Sequence, residues 1–230
     1  MRGARRLLVT GTALALSAGC GSAPAVDPAQ LLRDAKHSID STPAVHFTLT
    51  SANVTATGAA PLITGGEGDA RRPNSFAGSL SVVAAGFPLN VKVVSSGGAF
   101  YAQTPLSSGY TRTDPAAYGF GDPAQLLDPT HGLSSLLTVC SGAATRDSDR
   151  LNGEPLDEVA CSMPGARVAA LLTSADPSQA VQATIGVDAA THQLRRVALV
   201  GPFFARTHDS TFTVVLDRYG ENVTITPPAG

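Results

Sequence analysis

Val45-His46-Phe47-Thr48-Leu49-Thr50 alternates strictly between apolar and polar residues. A period of two is the signature of a strand with one buried and one solvated face. Immediately upstream the period is different. Asp27-Pro28 offers an N-cap followed by Pro at the first helical position. Leu31, Leu32, Ala35 and Ile39 then recur at helical spacing, with Arg33, Asp34 and Lys36 on the other face. A helix over 28–40 is predicted, ended by Ser41-Thr42-Pro43, and the chain passes from helix to sheet at Val45.

Downstream the strand signal repeats. Val54 to Thr57 continues the first strand after a register change near Ser51 to Asn53, and further strands are predicted at 62–70, 75–84, 88–95 and 99–104. Gly65-Gly66, Arg72-Pro73-Asn74, Gly86-Phe87-Pro88 and Ser95-Ser96-Gly97-Gly98 punctuate this region. Connections this short make sequential strands antiparallel neighbours. After Pro105 two short helices with adjacent Leu pairs are predicted around Asp122 to Pro129 and Gly132 to Leu137, and a third over Ala166 to Leu172. Strands return at 181–188, 194–201 and 210–219, with Asp188 to Gln193 as a hairpin loop and Val223-Thr224-Ile225 as a last edge. The predicted class is α+β, a single domain with one large antiparallel sheet and helices inserted between its halves.

Composition fits a folded chain of unusual texture. Of 230 residues 43% are apolar, but only 5% are aromatic, Trp is absent and charged residues are 15%. The apolar count rests on 36 Ala, 23 Leu and 19 Val. Low charge and high apolarity exclude intrinsic disorder. A net charge of −2 leaves no clustered cations for phosphate neutralisation, which argues against nucleic acid as a partner.

The N-terminus reads as an export signal. Arg2, Arg5 and Arg6 precede an apolar run from Leu7 to Ala18, too short to cross a hydrocarbon layer of roughly 30 Å at about 1.5 Å per residue. Leu16-Ser17-Ala18-Gly19-Cys20 resembles a bacterial lipobox, although Leu stands four residues before the Cys and Ser17 takes the usual Leu place. Residues 1–19 are expected to be the signal peptide, and 20–26 an acylated Cys20 with a short tether. Residues 27–230 form the body. The alternative is an ordinary secretory signal cleaved near Ala18. Several acyl chains on Cys20 would anchor the protein stably, where one alone would be marginal. Without Arg2, Arg5 and Arg6, 13 basic side chains face 18 acidic ones, so the exported body is acidic. Cys140 and Cys161 remain as an even pair in an oxidising compartment and are expected to form a disulfide.

Catalytic and metal motifs fail on context. Gly119-Phe120-Gly121-Asp122-Pro123-Ala124 fits a dinucleotide fingerprint by letter but follows no predicted strand. Asp147-Ser148-Asp149 with Asn152-Gly153 approximates a calcium loop one position out of step and reads better as a polar turn. His37, His46, His131, His192 and His208 lack ligand spacing. No cofactor is expected.

Several segments together resemble the LppX/LprA/LprF/LprG lipoprotein family of mycobacterial cell envelopes. They are the lipobox, the helix ahead of the first strand, Gly121-Asp122-Pro123-Ala124-Gln125-Leu126-Leu127-Asp128-Pro129 with Gly132-Leu133, and Asp188-Ala189-Ala190-Thr191-His192-Gln193-Leu194-Arg195-Arg196. The ending from Asp217-Arg218-Tyr219-Gly220 to Pro227-Pro228 also takes part. The resemblance implies a curved, half-barrel antiparallel sheet whose concave face is covered by helices, enclosing a hydrophobic cavity for acylated lipids or glycolipids. Expected cavity residues are Phe47, Leu49, Leu80, Val82, Leu89, Val91 and Val93 on strands. From the helices they are Leu126, Leu127, Leu133, Leu136, Leu137, Leu171 and Leu172.

The expected function is lipid carriage from the outer face of the plasma membrane toward the outer envelope, without covalent chemistry. The expected partners are an acylated lipid or glycolipid, the plasma membrane through Cys20, and an envelope transporter. Helical segments between 115 and 137 are the expected moving lid. One alternative is an envelope scaffold whose core is filled. The other is a lipid hydrolase, which would need Ser107, Ser134 or Ser135 beside a His and an acid.

Overall fold

A computed structural model describes residues 26–54, 61–118, 121–205 and 207–228 of the chain. Helix α1 spans Pro28–Ser41, and the Asp27 carboxylate caps it by accepting from the Ala29 amide at 3.0 Å. Its buried stripe is Leu31, Leu32, Ala35 and Ile39, as the spacing predicts. Strands β1 (Ala44–Ala52), β2 (Leu62–Arg71), β3 (Ser75–Ala84), β4 (Phe87–Ser96), β5 (Ala99–Gln103) and β6 (Thr111–Thr113) form the first meander. Short 3-10 helices follow at Pro115–Tyr118, Pro123–Gln125 and Leu133–Val139. The second meander is β7 (Ser141–Leu151), β8 (Glu154–Met163), β9 (Val181–Asp188), β10 (Leu194–Ala205) and β11 (His208–Asp217), with helix α2 at Gly165–Ala169 between β8 and β9.

All eleven strands join one curved, open antiparallel sheet in the order β6-β5-β4-β3-β2-β1-β11-β10-β9-β8-β7. The two meanders meet where the first strand pairs with the last. Phe47 stands opposite Leu216, and Leu49 opposite Val214. Period-two patterning therefore builds one continuous apolar face across the seam, and Phe47, Leu49, Phe76, Leu80, Ile185, Leu199, Phe212 and Leu216 are all buried. The 3-10 segments fall between the two meanders in sequence, and those around Pro123–Gln125 and Leu133–Val139 lie on this face in space.

Several features depart from the sequence reading. The short strand Thr111–Thr113 matches no predicted strand, and the first strand ends at Ala52, short of the predicted continuation at Val54, with 55–57 outside the described residues. The segments around 123–125 and 133–139 are 3-10 rather than α-helical. Val223-Thr224-Ile225 forms no strand. The third predicted helix is shorter, Gly165–Ala169. Ser141 to Met163, unassigned from sequence apart from a polar turn over Asp147-Ser148-Asp149 and Asn152-Gly153, is the β7–β8 hairpin. Its turn is Asn152-Gly153, at φ 52° and 91°. That pair of left-handed residues is what a tight hairpin turn requires. β7 escaped notice because it is an edge strand with no buried side chain, so it lacks an alternating apolar signal. Cys140, at its threshold, is disulfide-bonded to Cys161 of β8, with Cα atoms 5.4 Å apart.

Candidate functional site

Beneath the cover two facing glycines leave room on the sheet for an aromatic ring. Gly68 and Gly78 face each other across β2 and β3. A Cβ at Gly78 would lie 2.3 Å from the Glu67 carbonyl oxygen and 3.0 Å from the Phe76 ring. A Cβ at Gly68 would lie 2.5 Å from the Ala77 oxygen and 2.8 Å from the same ring. The Phe76 ring thus occupies space that side chains would otherwise fill, and it packs against Phe47 with ring centroids 5.4 Å apart.

Above Phe47 and Phe76 the sheet and its cover leave a pocket of about 480 Å³. Its floor is Phe47, Leu49, Ile63, Phe76, Leu80, Leu199 and Val214. The cover contributes Leu126, Leu133 and Leu136 from the 3-10 segments, with Val168, Leu171 and Leu172 from α2 and the turn after it. The polar residues in the lining are Asp122, Gln125, Thr130, His131, Ser135 and Arg167.

The cover is held by turn chemistry encoded in its Asp-Pro motifs. Asp122 Oδ1 accepts from the Ala124 amide at 3.0 Å, which caps the 3-10 turn, and from Ser95 Oγ at 2.6 Å, which ties that turn to β4. Asp128 Oδ1 accepts from the amides of His131 at 2.7 Å and Thr130 at 2.8 Å. Those two backbone bonds, with the nearby His131 ring, hold the Asp128 carboxyl below the usual carboxylate range. Gly132 lies so close to this turn that a Cβ would meet the carbonyl oxygens of Gln125, Leu126 and Asp128 at 2.4 to 2.6 Å. Helix α1 clamps the cover from behind. Ser134 Oγ donates to Asp40 at 2.6 Å, and Lys36 Nζ reaches Asp40 at 2.6 Å and the Pro129 carbonyl at 3.0 Å. Ser38 Oγ accepts from the Leu194 amide at 3.1 Å, joining the same helix to β10.

The second motif, Asp188 to Arg196, is also structural. Asp188 Oδ1 accepts from the Thr191 amide at 2.7 Å, the Ala190 amide at 3.0 Å and Thr191 Oγ1 at 2.8 Å, so its carboxyl is held below its usual range. Arg195 pairs with Glu154 at 2.9 Å, and Arg196 with Asp149 at 2.6 Å and with Glu158. Tyr219 donates its hydroxyl to the Leu194 carbonyl, and burial pushes that hydroxyl's pKa up.

Of the expected cavity residues, Phe47, Leu49, Leu80, Leu126, Leu133, Leu136, Leu171 and Leu172 line the pocket. Val82, Val91 and Val93 are buried in the sheet outside that lining, Leu89 is half-buried, and Leu127 and Leu137 are buried within the cover. Ile63, Phe76, Leu199 and Val214 line the pocket without having been singled out, although each falls within a predicted strand. Phe76 has the same strand parity as Leu80, a signal that was available. Of the polar members, Arg167 and Thr130 carried no sequence signal of their own. Cys20, and Gly119-Phe120 of the apparent fingerprint, lie outside the described residues.

The hydroxyls weighed as nucleophiles are engaged elsewhere. Ser134 donates to Asp40, Ser135 to the Gly132 carbonyl and Ser107 to the Thr104 carbonyl. His131 lies 3.3 Å from Asp128, and His46 lies 2.8 Å from Asp69. Among the described residues no group of three His, Cys, Asp or Glu side chains is arranged to hold a metal ion.

Comparison with known proteins agrees with this architecture. The lipoarabinomannan carrier proteins LprG of Mycobacterium tuberculosis (strain H37Rv) and Mycobacterium bovis (strain BCG) are each 27% identical over 230 residues. Each alignment covers 96% of this chain and 93% of the relative. The crystal structure of LprF from Mycobacterium bovis superposes with a TM-score of 0.73 at 18% identity, covering 88% of this chain and 97% of that one. LppX from Mycobacterium tuberculosis superposes with a TM-score of 0.62 at 14% identity, covering 86% and 98%. At those identities the two structures establish the fold. The LppX_LprAFG lipoprotein model matches residues 27–225, nearly the whole body of sheet and cover, and the chain therefore belongs to the LppX_LprAFG lipoprotein family.

Proposed function

We propose that this protein carries acylated lipids or glycolipids in the pocket between sheet and cover, held at the outer face of the plasma membrane by acylated Cys20. The observation that carries the reading is an apolar pocket of about 480 Å³ in a chain of this fold. That volume falls within the range of about 300–1,000 Å³ typical of small-molecule sites, and far exceeds the roughly 10–15 Å³ that a single water needs. Each methylene moved from water into such a pocket contributes about 0.8 kcal/mol. No covalent step is required for reversible uptake. The LprG relatives are named for carriage of a glycolipid, which supports the same ligand class here.

Transfer toward the outer envelope, with a transporter as partner, completes the proposal. The segment from Pro115 to Leu137 is the part of the cover that would move. It is built from short turns joined by Pro and Gly rather than one continuous helix. The scaffold alternative requires a filled core, and the pocket's volume counts against it. Organic extracts of the natively expressed protein carrying Cys20→Ser are expected to yield lipid in near-stoichiometric amount by mass spectrometry. Repeated absence of lipid would sink the proposal.

A further inference from the structure

The lining of the pocket separates by depth into two chemistries. Phe47, Phe76, Leu80 and Leu199 are buried, whereas Arg167 and Thr130 are exposed and Gln125 is half-buried. Arg167 is the one Arg or Lys in the described lining. Neither its guanidinium nor the side chains of Gln125 and Thr130 have a hydrogen-bond or ion-pair partner among the described residues. Neither nearby carboxylate pairs with Arg167 among the described residues, and each accepts two hydrogen bonds at Oδ1. Asp122, the carboxylate in the lining, receives Ser95 Oγ at 2.6 Å and the Ala124 amide at 3.0 Å, and Asp128 receives two backbone amides. The mouth therefore presents open donors around a cation, above an apolar interior.

We propose that Arg167 makes this pocket selective for acyl lipids with an anionic headgroup, either a phosphate ester or a carboxylate. The inference rests on the lipid-binding reading above and adds the class of headgroup. The planar guanidinium offers paired N–H donors that match two oxygens of such a head. Gln125 and Thr130 supply further donors at the same mouth. The acyl tails occupy the apolar part, where a charge would go unpaired. Because Arg167 is exposed, its contribution is screened by salt.

The test uses the mature-length protein carrying Cys20→Ser and two matched pairs of probes. Dioleoylphosphatidylglycerol is compared with dioleoylglycerol, and oleate with methyl oleate, so that only the head differs within a pair. The expected result is tighter binding of one or both anionic probes by about tenfold, the size of one charge-assisted hydrogen bond. The preference is expected to shrink at high salt, to collapse in Arg167→Gln and to survive in part in Arg167→Lys. Which pair shows it separates phosphate from carboxylate. Equal binding within both pairs, or a preference that Arg167→Gln leaves intact, would overturn the inference while leaving lipid carriage standing. If none of the four probes binds, the lipid-binding reading fails and the inference falls with it. An unchanged melting temperature and an intact Cys140–Cys161 bond in the variants exclude misfolding as the cause.

Discussion

At Gly78 the lack of a side chain is a packing requirement. Its would-be Cβ sits 2.3 Å from the Glu67 carbonyl oxygen, a backbone atom that cannot swing aside. Gly78→Ala is therefore expected to destabilise the fold by about 1–3 kcal/mol, the range for overpacking, as read from the urea midpoint at unchanged m-value. Asp188 acts through its charge. The Thr191 amide, above all, holds its carboxyl below the ordinary value of 3.8. Folding thus favours the ionised form. The stabilisation is present above the unfolded value and is lost as pH falls through the lower folded one. Asp188→Ala is expected to cost about 1–2 kcal/mol near neutral pH, as for a lost cap. The gap between wild type and variant should close as pH descends through the carboxylate range; a gap independent of pH would count against the ionised cap.

Among the elements, the β7–β8 hairpin and the cover show why sequence legibility was uneven. A strand is legible when one face is buried, and β1 with its alternating Val45, Phe47 and Leu49 is such a strand. β7 has no fully buried side chain and carries Arg146, Asp147, Asp149 and Arg150, so the Asn152-Gly153 turn is its clearest signal. Asp122 and Asp128 each stand before a Pro, and Asp122 does cap a turn. The turns nevertheless take 3-10 geometry, and Gly132 packs directly onto the preceding carbonyls. The Cys140–Cys161 bond links the end of the cover to β8 across a separation of 21 residues. Replacing both cysteines by Ala is expected to lower stability by about 3 kcal/mol on the chain-entropy estimate. Thermal unfolding of the double variant checks the magnitude, and the folded wild type should show neither thiol reactive.

For the molecule as a whole, the property at stake is the empty space between sheet and cover. Val214 is half-buried on the pocket floor opposite Leu49, so Val214→Phe would add bulk toward the space with little to displace. Lipid recovered with this variant is expected to drop severalfold while the melting temperature changes little; full occupancy would place the ligand elsewhere. Several properties follow from the sequence alone: an antiparallel sheet, an amphipathic helix ahead of it, capped turns in the middle, a cysteine pair and an acidic, aromatic-poor composition. Each is local or compositional, set by side-chain period, by an Asp beside a Pro, or by counting. Which strand face turns inward, the pairing of β1 with β11, and the pocket itself were decided by the tertiary structure. A strand's side chains alternate with period two, so a slip of one residue exchanges its faces, and only cross-strand partners select one. The pocket is the small difference between the volume that the curved sheet encloses and the volume of side chains drawn from positions far apart in the chain. No local pattern encodes that difference.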